Sequence, residues 1–163
     1  MVDWVSVELR DSNDTSIVIA QKSGVLQRDG DIVDVTDSRN SPLSFSVASN
    51  NYYIVIKHRN HLSIMTSSSV NLSSTLTSLD LTTNTNLVSG GVNALIDMGN
   101  GIFTMISGDF DENGQIQNID TNSVIQSLGI SGYNKADLDM NGQVQNADIN
   151  NLLNPNIGKG EQF

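Results

Sequence analysis

Two stretches decide how this chain is read: Gly108–Asp120, GDFDENGQIQNID, and Ala136–Asp148, ADLDMNGQVQNAD. They repeat at an offset of 28 residues, and eight of the twelve positions from Asp to Asp are identical. Counted from the first Asp, the first copy places Asp109, Asp111, Asn113 and Asp120 at positions 1, 3, 5 and 12, with Gly114 at 6. The second places Asp137, Asp139, Asn141 and Asp148 there, with Gly142 at 6. Calcium takes six to eight hard oxygen ligands, and alternate residues of a tight loop can aim short side chains at one centre. Gly at position 6 accepts the positive φ of the sharp turn. Position 7 contributes its backbone carbonyl, so Gln115 and Gln143 complete the ligand sets without a special side chain. A single copy could be an Asx-rich turn without metal. Two copies, each with Asp at 12 and a β-branched residue at 8 (Ile116, Val144), point to two Ca²⁺ sites. Without a cation, three carboxylates per loop repel at close range.

The flanks fit the same reading. Val124, Ile125 and Leu128 follow the first loop, and Ile149, Leu152 and Leu153 the second. A shift of 28 sets Leu152 on Val124 and Leu153 on Ile125, which predicts two exiting helices whose apolar faces pack together. Gly129 is placed to end the first in a left-handed C′ conformation, and Pro155 to stop the second. A β-branched, aromatic segment, Ile102–Ser107, precedes the first loop where an EF-hand would have an entering helix.

In these features the chain resembles a dockerin, a bacterial extracellular module of two loop–helix calcium repeats without entering helices and with Asp at position 12. The resemblance covers about residues 108–154. It implies a cohesin-like protein partner, met in that family by loop positions 10 and 11 and the helix beyond. Those positions here are Asn118-Ile119 and Asn146-Ala147.

Residues 1–107 read as an Ig-like antiparallel β-sandwich ahead of a dockerin-like module at 108–163: a mainly β chain with a small α part. Val5, Val7 and Leu9 alternate with polar residues, the period-2 pattern of a half-buried strand. Ile17–Ala20, Ile32–Val35, the alternating Leu43, Phe45 and Val47, and Tyr52–Ile56 are further strand candidates. Gly99-Asn100-Gly101 reads as a hairpin turn between Ala94–Met98 and Ile102–Ile106. Ser67–Asn86 is either edge strand or loop. This segment resembles a β-domain that precedes such repeats in large bacterial surface proteins.

Eighteen acidic residues against eight basic ones give a formal charge of −10. Without a basic stripe the chain is not a nucleic-acid binder. It has no cysteine, so disulfides and thiolate metal sites are excluded. No apolar run is long enough to span a bilayer, and the N-terminus lacks the regions of a signal peptide, which suits a mature secreted form or an excised module. No nucleophile-elbow, zinc-protease or phosphate-loop motif is present, so the chain is not expected to be an enzyme.

The expected role is a calcium-stabilised, secreted or cell-surface attachment module. One alternative is a self-assembling fibre subunit that donates Val2–Arg10 as a strand to another copy. Another is a carbohydrate-binding module, with Trp4, Tyr52 and Tyr53 as a glycan platform. Open questions are a metal-binding pair at His58 and His61, a third cation site at Asp29, Asp31, Asp34 and Asp37, and glycosylation at Asn13 or Asn71.

Overall fold

The computed structural model describes residues 3–36 and 41–163. The chain divides into two compact units: Met1–His58 with Ile64–Thr104 and Gln162–Phe163, and Arg59–Ser63 with Met105–Glu161. It is mainly β, with antiparallel pairing in keeping with a β-sandwich, and a small helical part.

The main sheet is ordered β3-β2-β1-β4-β5, where β1 is Asp3–Asp11, β2 Val18–Leu26, β3 Ile32–Asp34, β4 Asn50–His58 and β5 His61–Met65, the first four strands lying in the first unit. Strand β6, Val70–Leu72, pairs with the start of β4. A two-stranded sheet joins β7, Leu95–Asp97, to β8, Phe103–Met105. The alternation in β1 puts Val5, Val7 and Leu9 on one face, all buried. Burying each side chain contributes about 1.5–3 kcal/mol. The opposite face is not simply wet. Glu8 is buried there, its carboxylate held by Arg10 at 2.8 Å and Lys57 at 2.7 Å. Burial works to raise the Glu8 pKa, but the hydrogen bonds from Lys57 and Arg10 outweigh it and hold the carboxyl below its usual range.

Several expectations change against this sheet. Strand β1 is hydrogen-bonded to β2 on one side and β4 on the other. It is an interior strand rather than a free arm to donate, and Val2 lies outside the described residues. Leu43, Phe45 and Val47 form no strand. Pairing reaches Asp34 N to Ser41 O at 2.9 Å and a lone Val33–Pro42 bridge. Pro42 has no N–H to carry a ladder further. Ser67–Asn86 is mostly loop beyond β6. The Gly99-Asn100-Gly101 turn does join β7 and β8, with positive φ at all three residues and Met98 N bonded to Ile102 O at 2.8 Å.

Register divides the three residues of the glycan platform: Tyr53 pairs with Arg10 and shares the face of Trp4, but Tyr52 does not. Trp4 and Ser6 share one face of β1, whereas Tyr52 pairs with Asp11 and shares the face of Leu9. Trp4 is exposed, but Tyr52 is buried and its hydroxyl donates to Ala48 O at 2.8 Å. Asp34, one of the acids considered for a third site, is engaged by Lys22 and by Thr36, whose backbone N–H donates at 2.9 Å. The hydrogen bond from Lys22, then those from Thr36, hold its pKa far below the usual carboxylate range. Asp37 lies outside the described residues.

The second unit packs Leu62, Ile106, Ile116, Val124, Ala136, Leu138, Val144, Ile149 and Leu153 into one core. Its helices are α1, Asn118–Gln126, and a π-helix, Asp148–Leu153, followed by a 3-10 turn, Asn154–Asn156, with Pro155 in its first turn. The π-helix was not expected and it moves the apolar face. Val124, four residues after Asp120, is fully buried in α1. In the second copy Leu153, five residues after Asp148, is the fully buried one. A ring closed at i→i+5 instead of i→i+4 accounts for the step of one. Ile125 is accordingly exposed, contrary to the expectation that it matches Leu153.

Candidate metal centres

Both loops enter on extended or turn backbone. Ahead of the first, Leu62 N bonds Ile106 O at 2.8 Å and His61 bridges Ser107. Ahead of the second, Asn134 makes a turn in which its side chain accepts from Ala136 N at 2.8 Å.

Each loop is then wound around its own acids. Asp109 accepts from Asn113 N and Gly114 N, both at 3.1 Å. Asp111 accepts from Asn113 N at 3.2 Å and from its Nδ2 at 2.9 Å. Asn113 Oδ1 accepts from Gln115 N at 2.8 Å. Asp120 closes the ring: Oδ1 accepts from Phe110 N at 2.9 Å and Asp111 N at 3.2 Å, and Oδ2 from Gln117 N at 2.7 Å. The second loop repeats the pattern bond for bond. Asp137 accepts from Asn141 N and Gly142 N at 3.1 and 2.8 Å, and Asp139 from Asn141 N and Nδ2 at 3.0 and 2.8 Å. Asn141 accepts from Gln143 N at 2.9 Å. Asp148 accepts from Leu138 N, Asp139 N and Gln145 N at 2.8, 3.2 and 2.7 Å.

Carboxylate oxygens of Asp109, Asp111 and Asp120 lie within 4.8 Å of one another, as do those of Asp137, Asp139 and Asp148. In each trio positions 1 and 12 are buried and position 3 is exposed. Among the described residues no Lys or Arg forms an ion pair with any of the six. Burial raises the Asp109 pKa, outweighing the Gly114 hydrogen bond and aided by the charge of Asp120, and pushes it up to about 6. Burial likewise raises that of Asp137, with Asp139 contributing. A donor set of clustered carboxylate oxygens, two of each trio buried, fits a hard divalent cation. Gln115 and Gln143 side chains stay exposed, each accepting from the Gln two residues on, at 2.7 and 2.6 Å. This leaves only their backbone for a metal.

Three features went unread in the sequence. Position 4 adopts positive φ in both loops, 61° at Glu112 and 58° at Met140, on side chains that do not advertise it. The segments leaving the loops are paired reciprocally through isolated bridges. Ile116 N bonds Lys159 O and Gly158 N bonds Ile116 O, both at 2.9 Å, while Val144 N bonds Ile130 O and Gly129 N bonds Val144 O, again at 2.9 Å. The tail of each repeat thus closes the loop of the other. The equivalent tail residues are 29 apart, not 28, because the π-helix has absorbed one extra residue. Two buried asparagines, Asn60 and Asn156, hold the loop entries.

The two histidines each have their own neighbour: His58 Nε2 lies 3.1 Å from Asp3 Oδ2, and His61 Nδ1 lies 2.7 Å from Asn60 Oδ1. Neither belongs to a cluster of three ligating side chains among the described residues. No helix of the described residues is long and apolar enough to cross a membrane.

No family model matches the chain, and no curated protein matches it. Over 96% of its length it is similar to a chain from a solved structure of an N-terminal interface mutant of a type II Cohesin-X-Dockerin complex from Acetivibrio cellulolyticus, with 81% of that chain covered, a TM-score of 0.51 and 17% identity. At that identity the likeness is one of fold.

Proposed function

We propose that this chain is a non-catalytic attachment module, secreted or displayed at the cell surface, whose two loops bind Ca²⁺ and so fix a surface for a protein partner of the cohesin type. The observation that carries the reading is the pair of matched acidic loops, each with three carboxylates whose oxygens lie within 4.8 Å of one another. Asp109, Asp111, Asn113, Gln115 and Asp120 would hold one ion, and Asp137, Asp139, Asn141, Gln143 and Asp148 the other. A bound cation supplies the charge that offsets each trio. The chain does the rest: Asp120 and Asp148 tie loop to helix through backbone N–H groups, and the reciprocal tails tie the repeats together. Helix α1 leaves Ile119 and Ile125 exposed on the resulting surface, apolar groups suited to a partner. The solved structure with the similar fold belongs to a cohesin–dockerin complex, which favours a partner of that kind.

Calcium titration by calorimetry tests the metal. Wild type should take up two ions and Asp109→Ala plus Asp137→Ala should take up none. Equal uptake by both proteins would sink the assignment. Binding to a cohesin-fold protein, measured with calcium and with a chelator, tests attachment. The expected result is binding that the chelator abolishes.

A further inference from the structure

Neither loop has an entering helix, so something else must hold its first residues. In both, the carbonyl two residues before position 1 accepts from a buried Asn amide: Ser107 O from Asn156 Nδ2 at 2.9 Å, and Lys135 O from Asn60 Nδ2 at 2.8 Å. Ser107 and Lys135 are equivalent under the 28-residue repeat, but the asparagines are not. Asn156 comes from the 3-10 turn after the π-helix. Its counterpart in the first repeat would be Ser127 or Leu128, depending on which side of the extra residue the count is made, and neither offers an amide. The place is filled from far upstream by Asn60, which lies between β4 and β5 and is 0% exposed.

Each asparagine is fully engaged. Asn60 Nδ2 also reaches the carbonyl of Asp137, the position-1 residue itself, at 3.2 Å. Its own backbone carbonyl accepts from Gly108 N at 2.8 Å, one residue before Asp109. His61 at its Oδ1 orients the amide so that Nδ2 faces the loop. Asn156 Nδ2 also donates to Leu152 O at 2.6 Å, and its Oδ1 accepts from Lys159 Nζ at 2.9 Å.

We propose that Asn60 and Asn156 are positioning residues that set calcium affinity one loop at a time, Asn60 for the loop of Asp137 and Asn156 for the loop of Asp109. The inference rests on reading the loops as calcium sites. A ligand backbone held at both ends presents its carboxylate in one place. Released at its entry, it must be ordered by the ion, and outer-shell losses of this kind weaken metal binding by about 10- to 100-fold. The side chains act selectively because each amide meets one loop only. The backbone bond from Gly108 to Asn60 survives any substitution of the side chain.

The test uses the full chain and Ca²⁺ alone. Asn60→Ala and Asn156→Ala are titrated while the backbone amide signals of Gly114 and Gly142 are followed by NMR. These two N–H groups donate to Asp109 and Asp137, at 3.1 and 2.8 Å, so each reports its own loop. Asn60→Ala should weaken the response at Gly142 by about tenfold and leave that at Gly114 unchanged, and Asn156→Ala should do the reverse. Asn60→Ser and Asn156→Ser, gentler losses of the amide, are carried alongside in case an alanine variant fails to fold, and the same selectivity is expected. Equal weakening of both loops by either variant, or a lower melting temperature with both affinities unchanged, overturns the proposal. A wild type that takes up no calcium is a separate failure, that of the loop reading itself, and appears before any variant is made.

Discussion

The two loop–helix repeats agree down to individual hydrogen bonds inside the loop and part company at the helix that leaves it. From Asp120 an α-helix runs on and buries the residue four further along. From Asp148 a π-helix runs on and buries the residue five further along. One extra residue has entered the second repeat, and the helix rather than the loop has absorbed it. The difference shows where the geometry is held fast. A loop that must bring three carboxylates together has no slack, whereas a helical turn can widen by a residue at modest cost.

The comparison breaks most completely at position 12. Asp120→Ala removes one carboxylate of the trio and strands the N–H groups of Asp111 and Gln117, while Phe110 N keeps Gly108 O at 3.0 Å. Calcium affinity at its own loop should fall more than about 100-fold, and calcium-free stability should drop by about 3 kcal/mol or more, read by chemical denaturation. Asp148→Ala should match it at the other loop. A variant that loses calcium but keeps its full calcium-free stability would show that these carboxylates serve the metal alone.

Protons come next. The folded pKa of Asp109, about 6 without metal, stands above its ordinary 3.8. The metal-free folded state therefore holds a proton that the unfolded chain has released. This contribution to stability is full below 3.8, is lost as pH rises toward 6, and is gone above it. On the proposed calcium reading the ion displaces the same proton, so affinity should weaken roughly tenfold from pH 7 to pH 5. Calorimetry in buffers of different ionisation enthalpy should detect the released proton. An affinity flat across that range would contradict the burial argument.

The acid clusters were legible because they lie in short spacings: Asp, Asp, Asn, Gly and Asp at fixed offsets gather three carboxylates in each loop. Strand β1 was legible from alternation, and β4 from an unbroken run of aromatic and β-branched residues. What stayed hidden depends on distant partners. Nothing local marks Asn60 as a loop clamp, and Glu8 looks like an outward-facing acid until Lys57 and Arg10 cover it. The π-helix was hidden because Leu152 and Leu153 are both leucine, so sequence matching could not say which is buried. Pro42 was the overlooked signal against a strand at Leu43–Val47.

Smaller effects sharpen the comparison. Deleting exposed Asn151 returns Leu153 to four residues after Asp148. The second helix should then become α-helical like the first, with stability within about 1 kcal/mol of wild type and stronger far-UV helical dichroism. A collapse of the fold would mean that the wide turn is required by its surroundings. The smallest expected change comes from Lys135→Ala. Lys135 reaches Glu112 of the first loop at 2.7 Å and lies 5.1 Å from the Phe110 ring centroid, and Met140, the residue matching Glu112, offers no such pair. An ion pair this exposed is worth about 0.2–1 kcal/mol and should vanish at high salt.

The reciprocal tails also dictate an order of events during synthesis. The second loop pairs with residues 129–132, which leave the ribosome before it does. The first loop pairs with residues 158–161, which leave more than forty residues after it. The loop made first is thus the one completed last, and until then its acids ride on a nascent chain whose closing segment does not yet exist.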